Sequence, residues 1–169
     1  MKVGLVTQWY DPEPGPPSLF GEMARELRRR GHDVKVVTGV PNYPEGKVYD
    51  GYRNRRKSVE VRDGLPVCRV GIYPSHDDSS VRRVLNYSSF GANALVSASS
   101  FLADRDAVWI SNSPPTIAPL TRHLHRTGKR TVVHVMDIWP ENIMSSGYVT
   151  SRAGQAMSAG VHAMNRMLF

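Results

Sequence analysis

The sequence contains a single cysteine, Cys68, and lacks the long apolar run that a membrane-spanning helix needs. One thiol cannot form an internal disulfide or a multi-cysteine metal centre, which excludes disulfide-stapled and zinc-finger domains. A chain of 169 residues is long enough for one domain that buries about 70% of its unfolded surface. We therefore expect a single domain over residues 1–169 with a cytoplasmic location, because a reducing compartment suits a free thiol.

Motifs of several common enzyme classes are also missing. The sequence has no Gly-x-Ser-x-Gly elbow, no Walker phosphate loop and no Gly-x-Gly-x-x-Gly fingerprint, so hydrolase, nucleotidase and dehydrogenase assignments lose their usual support. His123 and His125 are two positions apart on a predicted helix and point to different faces, so they cannot form a metal pair. The stretch His76–Asp78 is more typical of a solvated turn than of a cation site. We expect no metal and no cofactor.

The charge is strongly positive, with a formal net charge of +7 at pH 7. Basic residues cluster at 28–30, 53–57 and 82–83, and such clusters attract phosphate groups. No aromatic residues alternate with them as on a nucleic-acid stacking platform, so nucleic acid is not expected as a partner. An anionic membrane surface stays open as an alternative partner, with peripheral binding at the inner face of the plasma membrane through Arg53–Arg56 and the helix from Val81.

Residues 1–31 predict a strand, a loop and a helix in succession. Val3–Val6 form an apolar run, a proline-rich loop follows, and apolar residues then recur at helical spacing up to Gly31, a typical helix C′ residue. Further buried strands are predicted at 34–37, 107–110 and 131–135, with a hairpin around Asp63-Gly64. The sequence therefore predicts an α/β fold with an open twisted sheet, mostly parallel with an antiparallel hairpin at one edge, and helices on both faces.

Later helices are predicted from the same periodicity. A helix from Val81 carries an apolar face that we expect to pack against the sheet. The next helix begins either after a Ser113 N-cap or at Pro119, and it ends at Gly128. A last helix runs from about Ser151, and its apolar face would allow pairing with a second copy in a homodimer. The face predicted for the helix from Val81 comprises Val81, Val84, Leu85, Ser88, Ala92, Leu95, Val96 and Leu102.

The loops rich in polar side chains follow predicted strands and therefore meet at the carboxyl edge of the sheet, where ligands of such folds bind. The first loop is a poor phosphate cradle because its prolines have no amide hydrogen, and few donors remain beyond Gly15, Ser18 and Leu19. We expect instead a stiff wall that approaches a ligand at Gly15. The crevice candidates are Trp9, Asp11, Glu13, Asn42, Tyr43, Ser111, Asn112, His134, Asp137, Trp139 and Glu141.

Several stretches, taken together, resemble a known family. In chain order they are Thr7–Gly15, Gly39–Tyr52, Tyr73–Asp77 with Arg83–Tyr87, Ser113–Pro115 and Asp137–Glu141. With this order and spacing the sequence resembles the N-terminal domain of glycosyltransferase family 4, retaining enzymes of the GT-B fold, and is similar to the branch that builds bacterial surface polysaccharides. The resemblance extends over nearly the whole chain.

The resemblance implies an enzyme of two domains. Its Rossmann-like N-terminal half mainly binds the acceptor, which is a glycan or a lipid-linked glycan, and its C-terminal half binds a nucleotide-sugar donor. The C-terminal half, with the family's paired glutamates and its basic residue for the donor phosphates, is absent from this chain. The resemblance therefore implies that the fragment is inactive by itself.

The resemblance also implies roles for individual residues. Asp137 is the leading candidate to orient or desolvate the acceptor hydroxyl, although a capping role in its turn is equally open. Gly15 is expected near the donor phosphates with Ser18. Two departures from the family pattern are Pro16 after Gly15, where a second glycine is common, and Met136, where many members have histidine. The expected substrate-binding residues are Trp9, Asp11, Asn42, Tyr43, His76, Ser113, Trp139 and Glu141.

Two other classes of function stay open at this point. One is a self-contained α/β binding or regulatory domain without chemistry. The other is the peripheral membrane module described above, which would use the basic residues and the helix from Val81.

Overall fold

The computed structural model describes residues 1–76, 79–138 and 152–168. Strands β1 (Lys2–Val6), β2 (Asp33–Gly39), β3 (Lys57–Arg62), β4 (Leu65–Val70), β5 (Ala107–Ser111) and β6 (Arg130–His134) form the sheet. The helices are α1 (Pro16–Arg29), α2 (Ser80–Ala98), α3 (Ala118–Arg126) and α4 (Arg152–Leu168), and a 3-10 helix, Pro115–Ile117, precedes α3.

The described strands form one sheet in the order β3-β4-β2-β1-β5-β6. Every neighbouring pair is parallel except β3 and β4, which are antiparallel and joined by a two-residue turn. Both turn residues have positive φ, 51° at Asp63 and 72° at Gly64, as the turn type that matches strand twist requires. The predicted fold class, a Rossmann-like, mostly parallel α/β sheet with an antiparallel hairpin at one edge, is confirmed.

Helix α1 ends where the sequence predicts. Gly31 has a φ of 82°, its N–H donates to the Arg28 carbonyl oxygen at 2.9 Å, and the His32 N–H donates to the Leu27 carbonyl oxygen at 3.1 Å. These two bonds define the Schellman motif, which satisfies carbonyl groups at the end of a helix. Within α1, the side chains of Phe20 and Ala24 are buried against the strands of the sheet.

Helix α2 packs on a different face from the one predicted. Val81, Val84, Leu85 and Val96, which were expected in the core, are exposed. A Cβ atom added at Gly91 would overlap the carbonyl oxygen of Thr116, so only small residues fit where α2 approaches the 3-10 helix. The buried face therefore consists of Asn86, Phe90, Gly91, Ala94, Ser97 and Ala98.

The last two helices resolve alternatives that the sequence left open. Helix α3 begins at Ala118 with Pro119 in its first turn, where proline is tolerated, and the expected Ser113 cap is wrong because the N-cap of the preceding 3-10 helix is Pro114. In α4, Leu168 is buried in the core that α3 shares. Val161 and Leu168, two residues of the apolar face that suggested a homodimer, are therefore buried within the chain.

The core lies on both sides of the sheet. The α1 side contains Leu5, Val34 and Val36 with Phe20 and Ala24. The other side is a larger cluster that α2, α3 and α4 share with the strands. No helix in the described part of the chain is both long and apolar enough to cross a membrane.

Candidate functional site

A pocket of about 320 Å³ opens at the carboxyl edge of the sheet. The loops after β1, β2, β4, β5 and β6 all contribute to it, because the carboxyl ends of parallel strands meet at one edge. Six residues that the sequence singled out lie together here, namely Trp9, Tyr43, His76, Ser111, Ser113 and Asp137. The lining residues are Trp9, Phe20, Tyr43, His76, Tyr87, Ser111, Ser113, Met136 and Asp137.

Aromatic rings form one wall of this pocket. The Trp9 ring lies edge-to-face against Tyr43, with 6.5 Å between ring centroids, and against Tyr87 at 6.1 Å. The His76 ring contacts Tyr43 at 4.8 Å. Edge-to-face contacts stabilise such clusters beyond the area that they bury. The wall is therefore a packed unit rather than a set of independent side chains.

Glu13 fixes the loops that carry this wall. Its carboxylate is buried and accepts hydrogen bonds from the backbone N–H of Tyr10 at 3.0 Å, Asn42 at 2.8 Å and Tyr43 at 2.8 Å. Burial raises the pKa of the Glu13 carboxyl, and these hydrogen bonds oppose the rise. One carboxylate thus joins the loop after β1 to the loop after β2.

The first loop is held a second time by Arg69 of β4, whose side chain is almost completely buried. Its guanidinium donates to the Asp11 carbonyl oxygen at 2.5 Å and to the Gly39 carbonyl oxygen at 3.3 Å. It also pairs with Glu60 at 2.8 Å, which compensates the buried charge. Sequence patterns do not predict this contact, because an arginine within a strand is more typical of a solvent-exposed position.

Asp11 and Asn42, both expected to bind substrate, do not line the pocket. The Asp11 carboxylate pairs with the Arg25 guanidinium of α1 at 2.5 Å, so its charge is used to attach the loop to the helix. The Asn42 amide donates to the Val40 carbonyl oxygen at 3.1 Å and is buried. Their side chains are thus engaged in contacts within the protein, and their expected role toward substrate stays a prediction.

Gly15 and Ser18, expected near donor phosphates, lie at the start of α1 and outside the pocket lining. Gly15 has a φ of 79° and open space where a side chain would be. The Ser18 N–H and hydroxyl both donate to the Gly15 carbonyl oxygen, at 2.9 and 2.7 Å. One of the few amide donors that the loop offers is therefore already used, and the role of both residues toward phosphate stays a prediction.

Asp137 reaches the pocket because Asn112 holds its backbone. The buried Asn112 side chain donates to the Asp137 carbonyl oxygen at 2.9 Å and accepts from the Met136 N–H at 2.8 Å. Trp139 and Glu141, the other residues expected in this loop, lie outside the described residues. Asn112, which directly follows β5, therefore fixes the position of the Met136–Asp137 backbone.

Tyr87, on the wall of the pocket, interacts electrostatically with the Asp137 carboxylate. Burial raises the pKa of Tyr87, the Arg83 charge lowers it and the Asp137 charge raises it. Because the pKa of Tyr87 lies above the ordinary value of 10.0, its hydroxyl is protonated at neutral pH and can donate a hydrogen bond.

Sequence reasoning did not single out Phe20, Tyr87 or Met136 as ligand-facing. Phe20 belongs to a helical apolar face, where the same pattern is typical of core packing. Two sequence features could have identified the other two residues: Tyr87 is the last residue of the motif Arg83–Tyr87, and Met136 directly precedes Asp137. Within the described ranges, no three His, Cys, Asp or Glu side chains are grouped as metal ligands.

Comparison with known proteins places this pocket in context. A relative from Escherichia coli (strain K12), "Putative colanic acid biosynthesis glycosyl transferase WcaI", is 29% identical over 98% of this chain, which spans only 41% of that protein. A solved structure, "Catalytic domain of Starch Synthase IV from Arabidopsis thaliana bound to ADP and acarbose", has a TM-score of 0.54 at 14% identity. That match covers 79% of this chain and 33% of the other, and it shows similarity of fold.

A family model decides the assignment. The model described as "Glycosyl transferase 4-like domain" matches residues 15–168. This match extends from the start of α1 to the end of α4 and includes most of the residues that line the pocket. The resemblance predicted from the loop motifs is confirmed, and the chain belongs to the glycosyl transferase 4-like domain family.

Proposed function

We propose that this chain is the acceptor-binding domain of a retaining glycosyltransferase, which transfers a sugar from a nucleotide-sugar to a hydroxyl of a glycan or lipid-linked glycan. The observation that carries the proposal is the pocket at the carboxyl edge, where an aromatic wall faces Asp137 and two serines. Membership of the glycosyl transferase 4-like family supports the reaction class.

The pocket residues suit a carbohydrate acceptor. The edge-to-face cluster of Trp9, Tyr43 and Tyr87 offers apolar surface for the C–H faces of a sugar ring. The hydroxyls of Ser111 and Ser113 and the Asp137 carboxylate line the same space, and polar groups of this kind fix the orientation of a ligand in a largely apolar site.

Asp137 is the residue that we propose to orient the attacking hydroxyl. Its carboxylate accepts a hydrogen bond from that hydroxyl and directs the oxygen toward the donor. In the proposed retaining transfer, the departing phosphate oxygen of the donor takes the proton of the acceptor. Catalysis then depends on positioning and charge stabilisation more than on a protein base, and no metal is needed for it.

The donor requires a second domain in this proposal. Gly15 offers close approach for a phosphate, and the first turn of α1 offers few free amides. That surface alone is a weak site for a charged diphosphate. The chain spans 41% of its Escherichia coli relative, which leaves room in a protein of that kind for a nucleotide-binding half.

A transfer assay tests the proposal. The full-length protein is incubated with a panel of nucleotide-sugars and lipid-linked glycans extracted from bacterial membranes. We expect Asp137→Asn to reduce kcat by about 100-fold, the size of effect expected when a reacting group is no longer correctly oriented, with a smaller change in donor KM. Asp50→Asn, at an exposed position, is the matched control and should retain activity.

The same assay is then applied to residues 1–169 alone, which lack the second domain that the proposal requires. We expect neither transfer nor donor hydrolysis. Robust activity of residues 1–169 would contradict the need for a second domain, and an Asp137→Asn protein as active as the Asp50→Asn control would contradict the role of Asp137.

A further inference from the structure

The outward face of α2 carries an apolar stripe that the core does not use. The exposed fractions are 70% for Val81, 44% for Val84, 47% for Leu85 and 58% for Val96. Ser88 and Ala92 are exposed on the same side, and Leu95 at the edge of the stripe is partly buried and packs against the core. With about 3.6 residues per turn, these positions fall on one side of the helix.

The stripe lies on the opposite side of α2 from the buried face. The core contacts of the helix come mainly from Asn86, Phe90, Ala94 and Ser97, and the exposed valines and leucine of the stripe do not belong to the core clusters. Surface helices normally present charged residues to water on this side. Residues 80–98 contain no Asp or Glu, and Arg82 and Arg83 at the first turn are their only charged side chains. A contiguous exposed apolar surface of this kind is typical of an interaction site.

A segment that follows β4 lies along one flank of the stripe. The Ser89 hydroxyl of α2 accepts a hydrogen bond from the Tyr73 N–H at 2.7 Å, and the Asn93 amide donates to the Gly71 carbonyl oxygen at 2.6 Å. Residues 71–73 are therefore attached to α2 over about one of its turns.

Exposed arginines lie beside that segment. The Asn54 side chain accepts from the Ile72 N–H at 3.0 Å and donates to the Ile72 carbonyl oxygen at 2.7 Å, which holds residues 53–56 against it. Arg53, Arg55 and Arg56 are exposed. Residues 71–73 thus lie between α2 and the arginine-bearing segment, which places exposed cations one segment away from the apolar stripe.

We propose that this surface, the α2 stripe with Arg53, Arg55 and Arg56, binds the surface of an anionic lipid bilayer. The valine and leucine side chains enter the boundary between headgroups and acyl chains, and the arginines lie at the level of the lipid phosphates. An apolar helix face bordered by basic residues is the physical requirement for such binding. The net charge of +7 favours the same partner.

A bilayer fits this surface better than a protein partner does. Protein hot spots are centred on aromatic or arginine anchors in pockets, whereas the stripe consists of short aliphatic side chains on a convex helix. A lipid surface needs no matching shape. Because Tyr87 of α2 lines the pocket, binding in this way keeps the pocket close to the membrane, where a lipid-linked acceptor would be present if the proposed function holds.

Vesicle flotation of the full-length protein tests the inference without any assay of transfer. Vesicles of phosphatidylcholine with phosphatidylglycerol are compared with vesicles of phosphatidylcholine alone, at low and high salt. We expect the protein to float with the anionic vesicles, and the bound fraction to fall as salt rises.

Two sets of variants separate the parts of the surface. Val84→Ser with Leu85→Ser should weaken binding about tenfold, as expected when a few inserted methyl groups are lost, and Arg55→Ala with Arg56→Ala should reduce the salt dependence. The matched control is Val59→Ser with Val61→Ser, at exposed valines of β3, which should bind as the unchanged protein does. Circular dichroism confirms that each variant is folded.

Defined results would overturn the inference. The inference is wrong if the unchanged protein is found only at the bottom of the gradient with anionic vesicles, or if the α2 variant floats as well as the β3 control. A third contradicting result is self-association in the absence of vesicles that the α2 substitutions abolish, because the stripe would then serve a protein contact.

Discussion

Glu13 shows how one buried residue sets the geometry of the pocket without lining it. Replacing Glu13 with Gln leaves one acceptor oxygen for three backbone N–H groups. The new side-chain NH2 group is itself a donor and would face at least one of these backbone N–H donors. We expect the variant to lose about 1 to 3 kcal/mol of unfolding free energy, the cost of leaving buried donors unsatisfied. Urea unfolding measures this loss. Glu45→Gln, at an exposed position, should change little, and equal effects of the two substitutions would rule out the structural role.

The pH dependence of stability gives a second test of Glu13. Because burial raises the pKa of this carboxyl above 4.5, the folded state binds the proton more tightly than the unfolded state does. The contribution of Glu13 to stability is therefore complete below pH 4.5 and is lost as the pH rises through the folded-state pKa. The unfolding free energy of the unchanged protein, relative to that of Glu13→Gln, should fall over this window. A difference that rises with pH would contradict the raised pKa.

At the scale of elements, α2 shows what helical periodicity can and cannot predict. The spacing of Val81, Val84 and Leu85 correctly indicated a helix with an apolar face, but this face is exposed. The decisive factor was the close approach of Gly91 to Thr116, which admits only small side chains. Hydrophobicity alone could not reveal this, because the partner is distant in sequence.

Two glycines in helices provide a matched test of that close approach. Alanine has a higher helix propensity than glycine by about 1 kcal/mol. At Gly160 of α4 a Cβ atom meets nothing within 4 Å, so Gly160→Ala should stabilise the fold by up to about 1 kcal/mol. Gly91→Ala should instead destabilise it by about 1 to 3 kcal/mol, because the Cβ overlaps a backbone oxygen. Thermal unfolding compares the two, and stabilisation by both would contradict the packing described for α2.

At the scale of the whole molecule, the strands were the most predictable part. Runs such as Val34–Val37 are buried on both faces of a parallel sheet, and Asp63-Gly64 has the composition of a tight hairpin turn, so short-range patterns were sufficient. The meeting of Trp9, Tyr43, His76, Ser113 and Asp137 at one pocket followed from topology, because loops after parallel strands share an edge.

The contacts that organise these loops could not be predicted in the same way. Glu13 and Asp11 are neighbouring carboxylates in one loop, yet Glu13 binds backbone amides and Asp11 pairs with Arg25. Their partners lie on other elements, so composition and spacing do not distinguish them. The same holds for Arg69, whose role depends on the positions of two carbonyl oxygens.

The central claim, that this domain binds the acceptor, is tested most directly by NMR of its tryptophan indole N–H groups. Trp9 lines the pocket, whereas Trp109 lies in β5 outside the lining. The chain has three tryptophans, and Trp9→Phe, Trp109→Phe and Trp139→Phe variants assign their signals. A panel of soluble oligosaccharides should include members that shift the Trp9 signal and leave Trp109 unchanged, while uridine diphosphate shifts Trp9 little. The claim would be contradicted if the nucleotide shifted Trp9 strongly and none of the oligosaccharides did.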